Sequence, residues 1–286
     1  MVRLALIGVP SNSSGRTDGV ARAPSALRAA NLLSALAQSC DVEDFGDVPL
    51  PEPDPTRDPI TGLIDPGGFA ATVDASRAAV SRARSANRFP LVLGGDCPVL
   101  LGCLAGSGSR GVLFVDGHED AYPPHLSQTG KAADSELALA LGLAPGPKGA
   151  SIPMLGHRDV AILGARDGHL LREQEVGSLR GTVAFVDDSE LRVDPEMIAA
   201  RALAPLPRPW WLHLDLDVLS TEALPSVDYP QAGGIGWLDL LSLTREALAK
   251  RPIGWDITIY DPDLDRAETD ARRIVRFLGE TAALLQ

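Results

Sequence analysis

Four short polar clusters punctuate this chain, each directly after an apolar run. They are Gly94-Gly95-Asp96-Cys97-Pro98, Asp116-Gly117-His118-Glu119-Asp120, His213-Leu214-Asp215-Leu216-Asp217 and Tyr260-Asp261-Pro262-Asp263. Asp116 and His118 alternate, so at a strand end both face one side, and Asp120 joins them from the following turn. Asp215 and Asp217 share a face in the same way. Side by side, these segments gather carboxylates and an imidazole into one place. So many carboxylates cannot all stay ionised without a counter-charge, and a pair of divalent cations supplies it. Mixed carboxylate and imidazole donors suit manganese better than an all-sulfur zinc site would. A lone Asp after a strand is more often a cap or turn former, and Asp96 and Asp188 stay open to that reading.

The elements that must position these clusters are legible from the apolar pattern. Continuous apolar runs at 2–9, 91–94, 111–115, 160–164, 182–186, 211–218 and 256–260 read as strands buried on both faces. Helical spacing of Ala, Leu and Arg marks 23–38 and 68–86. Strand–helix alternation predicts an α/β fold with a mostly parallel sheet between helical layers. Ligands in such sheets bind at the carboxyl ends of strands, where the polar clusters fall. Residues 50–66 and 144–153 are too rich in proline and glycine for helices and read as surface loops. Nothing in the pattern marks a domain boundary, so 1–286 is expected to be a single domain.

Composition narrows the function classes. Hydrophobic residues make up 45% of the 286, enough for a sizeable core, and the formal net charge is −12. An acidic chain repels phosphate backbones and anionic lipid, so neither nucleic acid nor membrane is an expected partner. The three cysteines, Cys40, Cys97 and Cys103, make no disulfide framework. The apolar start is short and reads as a first strand rather than a signal peptide, so a cytoplasmic protein is expected. No motif specifies an oligomeric state.

Gly94-Gly95-Asp96, Asp116-Gly117-His118-Glu119-Asp120 and Asp215-Leu216-Asp217 resemble, in order and separation, the arginase/agmatinase (ureohydrolase) superfamily. The resemblance runs from the first strand to about Phe277, and Leu163-Gly164-Ala165-Arg166-Asp167 and Gly233-Gly234 also look like family segments. It implies a three-layer α-β-α sandwich and hydrolysis of a guanidino C–N bond at a centre of two Mn(2+) ions with a bridging hydroxide. Carried over by position, Asp116 and Asp215 bridge the metals, Cys97 and Asp120 complete the first, and His118 and Asp217 complete the second. Asp120 would also hold the hydroxide.

Three departures bear on the substrate. The family's usual Gly-Gly-Asp-His ends here in Cys97, which is either a metal-binding thiolate or an inert buried cysteine. Counted from Asp116 without gaps, the family's acid–base His falls on Ala133. His125, upstream, stands as a substitute acid or as a solvated loop residue, and Asp134 and Glu136 are further candidates. The family's guanidinium-holding Glu falls on Ile259. Asp261, of the same strand parity, either takes that role or forms a turn. Tyr229, in a segment that also departs from the family, either contacts substrate or covers the site.

These losses ill suit plain arginine and favour a less basic, more electrophilic analogue. The Cys-for-His exchange and the missing His are similar to the Nω-hydroxy-L-arginine amidinohydrolases of antibiotic biosynthesis, which release hydroxyurea and L-ornithine. The alternatives are hydrolysis of agmatine, guanidinobutyrate or a formimino compound, or a metal-binding homologue weakened in catalysis. A single-zinc deacetylase design is disfavoured by the second Asp pair.

Overall fold

The computed structural model describes residues 1–285. Its strands are β1 (Val2–Val9), β2 (Cys40–Asp47), β3 (Phe89–Gly94), β4 (Gly111–Val115), β5 (Val160–Ala165), β6 (Ala184–Asp187), β7 (Trp210–Asp215) and β8 (Trp255–Thr258). They form one sheet of eight strands in the order β2-β1-β3-β8-β7-β4-β5-β6. Every pairing between them is parallel. The helices are α1 (Ala23–Ala29), α2 (Leu32–Leu36), α3 (Pro66–Ser85), α4 (Val99–Ser107), α5 (Glu136–Ala140), α6 (Gly168–Glu173), α7 (Asp188–Leu191), α8 (Pro195–Leu203), α9 (Trp237–Ala249) and α10 (Thr269–Ala282).

The period of two along the strands divides the core. Leu4, Leu6, Leu113 and Val115 face one side, where α1, α2, α8, α9 and α10 pack. Ala5, Ile7, Val112 and Phe114 face the other, against α3, α4 and α5. The result is the expected three-layer α-β-α sandwich. Both faces of the inner strands are covered, so β4, β5, β7 and β8 are buried throughout, which accounts for the unbroken apolar sequences of β4 and β5.

Several boundaries differ from expectation for identifiable reasons. β2 was not foreseen, because Cys-Asp-Val-Glu-Asp-Phe-Gly-Asp has the composition of a loop. It is an edge strand, mostly half-buried or exposed, and its carboxylates discourage further pairing. The helix expected over 23–38 is broken into α1 and α2 at Asn31, whose backbone is left-handed with φ 68°. Pro66, expected in the loop, is the first residue of α3, where its missing N–H costs nothing. Asp65 caps that helix by accepting from the Gly68 N–H at 2.8 Å. The strands expected over 211–218 and 256–260 end at Asp215 and Thr258, and Leu216–Val218 is a 3-10 turn.

β3, β8, β7 and β4 lie side by side at the centre of the sheet. β3 and β4 are successive in sequence, yet two strands separate them. The chain changes direction there, and the crevice at such a switch point opens at the strands' carboxyl ends. Among the described residues, no helix is long and apolar enough to cross a membrane.

Candidate metal centre

Two tight turns build the site. β4 ends at Val115, and Asp116 Oδ1 accepts the His118 backbone N–H at 2.7 Å. β7 ends at Asp215, whose Oδ1 accepts the Asp217 N–H at 2.6 Å. In each case a carboxylate folds its own loop by bonding two residues on. Gly117 joins the turns, its N–H donating to Asp217 Oδ1 at 2.9 Å. A Cβ at Gly117 would meet an Arg166 guanidinium nitrogen and Asp217 Oδ1, so any larger residue would push these two side chains aside. Arg166 supports the second turn from behind, donating to the Asp217 carbonyl at 2.7 Å.

The turns create two groups of ligand atoms that share Asp116. In the outer group, donor atoms of Asp116, His118 and Asp217 lie within 4.8 Å of one another. His118 Nδ1 is 2.7 Å from Asp217 Oδ2 and 3.6 Å from Asp116 Oδ1. In the inner group, donor atoms of Cys97, Asp116, Glu136 and His213 lie within 4.8 Å of one another, and all four residues are buried. Cys97 Sγ also donates to Asp215 Oδ2 at 2.9 Å. Asp120 faces Glu136. Asp120, Tyr229 and Ile259 all line the cleft above, and all three have a left-handed backbone, with φ of 42°, 56° and 74°. Such a conformation is a genuine outlier for a β-branched residue like Ile259 and collects at functional sites.

The electrostatics are those of a buried cluster of carboxylates and imidazoles. Burial pushes the Asp120 carboxyl well up, and the charges of Glu136 and Asp116 push it further. Burial likewise raises Glu136, and it raises Asp215 together with the charges of Asp217 and Asp116. Burial and then the Asp215 charge hold the Cys97 thiol well above its ordinary range. Burial alone would lower both imidazoles. The charge of Asp217 at His118, and of Asp256 at His213, outweighs it and holds each pKa well up. Asp116 is depressed: the imidazoles of His118 and His213, 3.6 and 3.8 Å away, overcome its burial. Buried atoms without a protein hydrogen-bond partner include Asp116 Oδ2, both Glu136 oxygens, His118 Nε2 and His213 Nε2. Desolvating such atoms unpaired is costly. Divalent cations would satisfy the carboxylates, and the donor set therefore fits a pair of them.

Of the residues singled out from sequence, Cys97, Asp116, His118, Asp120, Asp215 and Asp217 all gather here and line the cleft or its floor. Two do not. His125 is exposed on its loop and is not part of the cleft lining, which corrects its expected role as substitute acid. The Gly62 turn lies against its backbone. Asp261 lines a neighbouring depression with Asn12 and Arg16, and its Oδ1 accepts the Asp263 N–H at 2.9 Å, so it forms a turn outside the cluster. Asp134 does line the cleft, but its Oδ2 is taken by the hydroxyls of Ser127 at 2.6 Å and Thr129 at 2.5 Å, which order the loop. Ala133 and Ile259 both line the cleft. Across its mouth, Lys131 Nζ pairs with Asp228 Oδ2 at 2.5 Å.

Sequence reasoning passed over His213 as a ligand and weighed Glu136 only as a replacement acid. The signal for His213 was present: it stands two residues before Asp215 on one strand and therefore shares its face. Glu136 gave none, because it opens α5 after a loop and only the tertiary fold turns it inward.

Comparison with known proteins gives one answer. A model described as the arginase family matches residues 2–283. The chain is 30% identical over 294 residues to the arginase of Bacillus caldovelox, covering 98% of this chain and 97% of that one. It is 27% identical over 287 residues to Homo sapiens arginase-1, covering 95% of this chain and 89% of the other. The native crystal structure of the Bacillus caldovelox enzyme superposes with a TM-score of 0.84 at 25% identity, covering 100% and 99% of the two chains.

Proposed function

This chain belongs to the arginase family, and on that premise we propose that it hydrolyses Nω-hydroxy-L-arginine to hydroxyurea and L-ornithine with two Mn(2+) ions bound. Membership makes it a hydrolase of C–N bonds in linear amidines. The observation that carries the reading is the pair of ligand groups joined through Asp116 at the floor of a cleft. By family position, Asp116 and Asp215 would hold both ions, Cys97 and Asp120 would complete one, and His118 and Asp217 would complete the other. Once bound, the two cations supply an activated water and stabilise the negative charge that develops on the attacked carbon's substituents.

The chain's own residues do the rest. Asp120 accepts a hydrogen bond from the attacking water and so orients it. Lys131 and Asp228 form an ion pair at the cleft mouth that a zwitterionic amino acid can enter, carboxylate to ammonium and ammonium to carboxylate. Ala133 and Ile259 leave the wall beside the guanidino group without a titratable side chain. That wall gives little support to a permanently cationic guanidinium. An N-hydroxyl withdraws electrons, lowers the basicity of the group and leaves its central carbon more open to attack. Water adds to that carbon, the bond to the ornithine nitrogen breaks, and that nitrogen takes up a proton.

The test is ornithine release by manganese-loaded protein from Nω-hydroxy-L-arginine and from L-arginine under the same conditions. The hydroxylated substrate is expected to turn over faster, and equal or arginine-favouring rates would refute the substrate assignment. Agmatine and guanidinobutyrate belong in the same panel. Lys131 disfavours agmatine, which has no carboxylate to offer it. Activity lost on Asp120→Asn would exclude a purely metal-storing homologue.

A further inference from the structure

We propose that Glu136 and His213 are themselves metal ligands, which join Cys97 and Asp116 around the inner cation of this chain, and that this position prefers a softer ion than the outer one. The inference rests on the dinuclear reading above and deepens it. It assigns to the inner ion two donors beyond the set carried over by family position.

The geometry comes first. One donor atom from each of these four residues lies within 4.8 Å of the other three, the separation that ligands around a single ion have. His213 Nε2 is 3.8 Å from Asp116 Oδ2. Both atoms, and both Glu136 oxygens, are buried without a hydrogen-bond partner in the protein. The buried histidine and the buried glutamate are thus left open toward one another and toward a thiol, with Asp120 as the other carboxyl beside Glu136.

The second observation is how His213 is held. Its Nδ1 is 2.6 Å from Asp256 Oδ2, and both residues have 0% of their surface exposed. Asp256 also accepts from the Trp211 indole N–H. Phe114 stacks on the imidazole at 4.6 Å between centroids and 22° between planes. A carboxylate on Nδ1 keeps that nitrogen protonated and leaves the Nε2 lone pair pointing at the cluster. Metal-binding histidines are oriented in this way. The ring cannot turn away, because Phe114 covers its face.

The donor types then separate the two positions. The outer group offers only carboxylate and imidazole, a set suited to manganese. The inner group adds a thiolate, whose softness favours zinc, cobalt(II) or iron(II) over manganese. The raised thiol pKa described above opposes no such ligand, because a bound cation deprotonates a coordinating thiol outright.

Metal-free protein is loaded with one equivalent of zinc in a His118→Asn background, which removes the outer group's imidazole. X-ray absorption is then read at the zinc edge. One sulfur at about 2.3 Å and one imidazole at about 2.0 Å are expected, and the imidazole can come only from a residue other than His118. A zinc shell with sulfur but no imidazole would overturn the assignment of His213. With cobalt(II) in the otherwise native protein, a thiolate-to-cobalt charge-transfer band is expected. Glu136→Gln, nearly isosteric, should weaken the binding that produces the band about 100-fold, the upper end of what even supporting residues cost. An unchanged titration, with circular dichroism showing a folded variant, would overturn the assignment of Glu136. Either failure leaves two metal equivalents in the native protein. Fewer than two equivalents there would instead sink the dinuclear reading itself and this inference with it.

Discussion

Asp256→Asn is the most informative single change. Asp256 is fully buried, and its two oxygens serve His213 Nδ1 and the Trp211 indole N–H. An asparagine keeps one acceptor oxygen and replaces the other with an NH₂. If the oxygen stays on Trp211, the amide N–H faces His213 Nδ1, which must then give up its proton. The imidazole is driven into the tautomer protonated on Nε2, the atom that faces Asp116. Removing one partner of a buried charged pair costs roughly 3–5 kcal/mol. At about 2 °C per kcal/mol for a chain of this size, the metal-free variant should melt about 6–10 °C below the parent. Its affinity for the inner cation should fall about 10–100-fold, the usual effect of removing a carboxylate behind a metal-binding histidine. That corresponds to about 1.4–2.7 kcal/mol. Thermal melts of metal-free and metal-loaded protein, with metal titrations read by equilibrium dialysis, measure both terms. A variant that melts within a degree of the parent and binds the inner cation as tightly would refute the claim that Asp256 sets the state of His213.

Three further outcomes follow from the same contacts. Gly95→Ala would place a Cβ 2.0 Å from the Ser11 carbonyl oxygen, a backbone atom that cannot yield, so the Asp96–Cys97 turn must shift. The expected cost is about 1–3 kcal/mol in a denaturant melt, with metal lost from the inner position. Lys131→Met should raise KM for the amino-acid substrate roughly tenfold, about 1.4 kcal/mol. It should leave KM for a simple N-hydroxyguanidine without a carboxylate unchanged, and a rise for both would show that Lys131 is not reading the carboxylate. Asp187 caps α7, and hydrogen bonds from Ser189, the Glu190 N–H and Arg180 outweigh its partial burial and lower its pKa to about 2. A depressed carboxyl stabilises the fold above its unfolded pKa and loses that contribution as pH falls through the folded value. Asp187→Ala should therefore cost about 1 kcal/mol at neutral pH. Chemical denaturation across pH should find the gap closing between about pH 4 and pH 2, and a pH-independent gap would contradict the cap.

The sequence alone determined the sheet's inner strands and most of the residues that gather at the cleft floor. Both are written in local periodicity. A strand covered on both faces is apolar wherever no buried partner meets a polar side chain, so β4 and β5 stand out as unbroken runs. Donors two residues apart at a strand end share one face, and Asp116–His118 and Asp215–Asp217 do so. The same logic failed where periodicity carries no message. β2, an edge strand, is acidic because its outer side meets water, and its sequence is that of a loop. Asn31 breaks a helix that Ala and Leu spacing would continue.

What only the tertiary structure decided is which residues meet. Glu136 looks like the polar start of a short helix, and nothing nearby in the chain demands a partner for it. It becomes a buried carboxylate beside Cys97 and His213 because α5 packs against α4 and its Leu137 N–H donates to the Asp120 carbonyl. Asp256, in an apolar strand 43 residues beyond His213, acquires its role only when β7 and β8 pair in the register that sets His213 against Asp256. His125 and Asp261 had the right chemistry and the right neighbourhood in sequence, but their loops turn them elsewhere. Residue type and short-range spacing fix which groups are able to bind a cation. Convergence of loops distant in sequence fixes which of them do, because a metal shell is a condition on distances between side chains and not on their order.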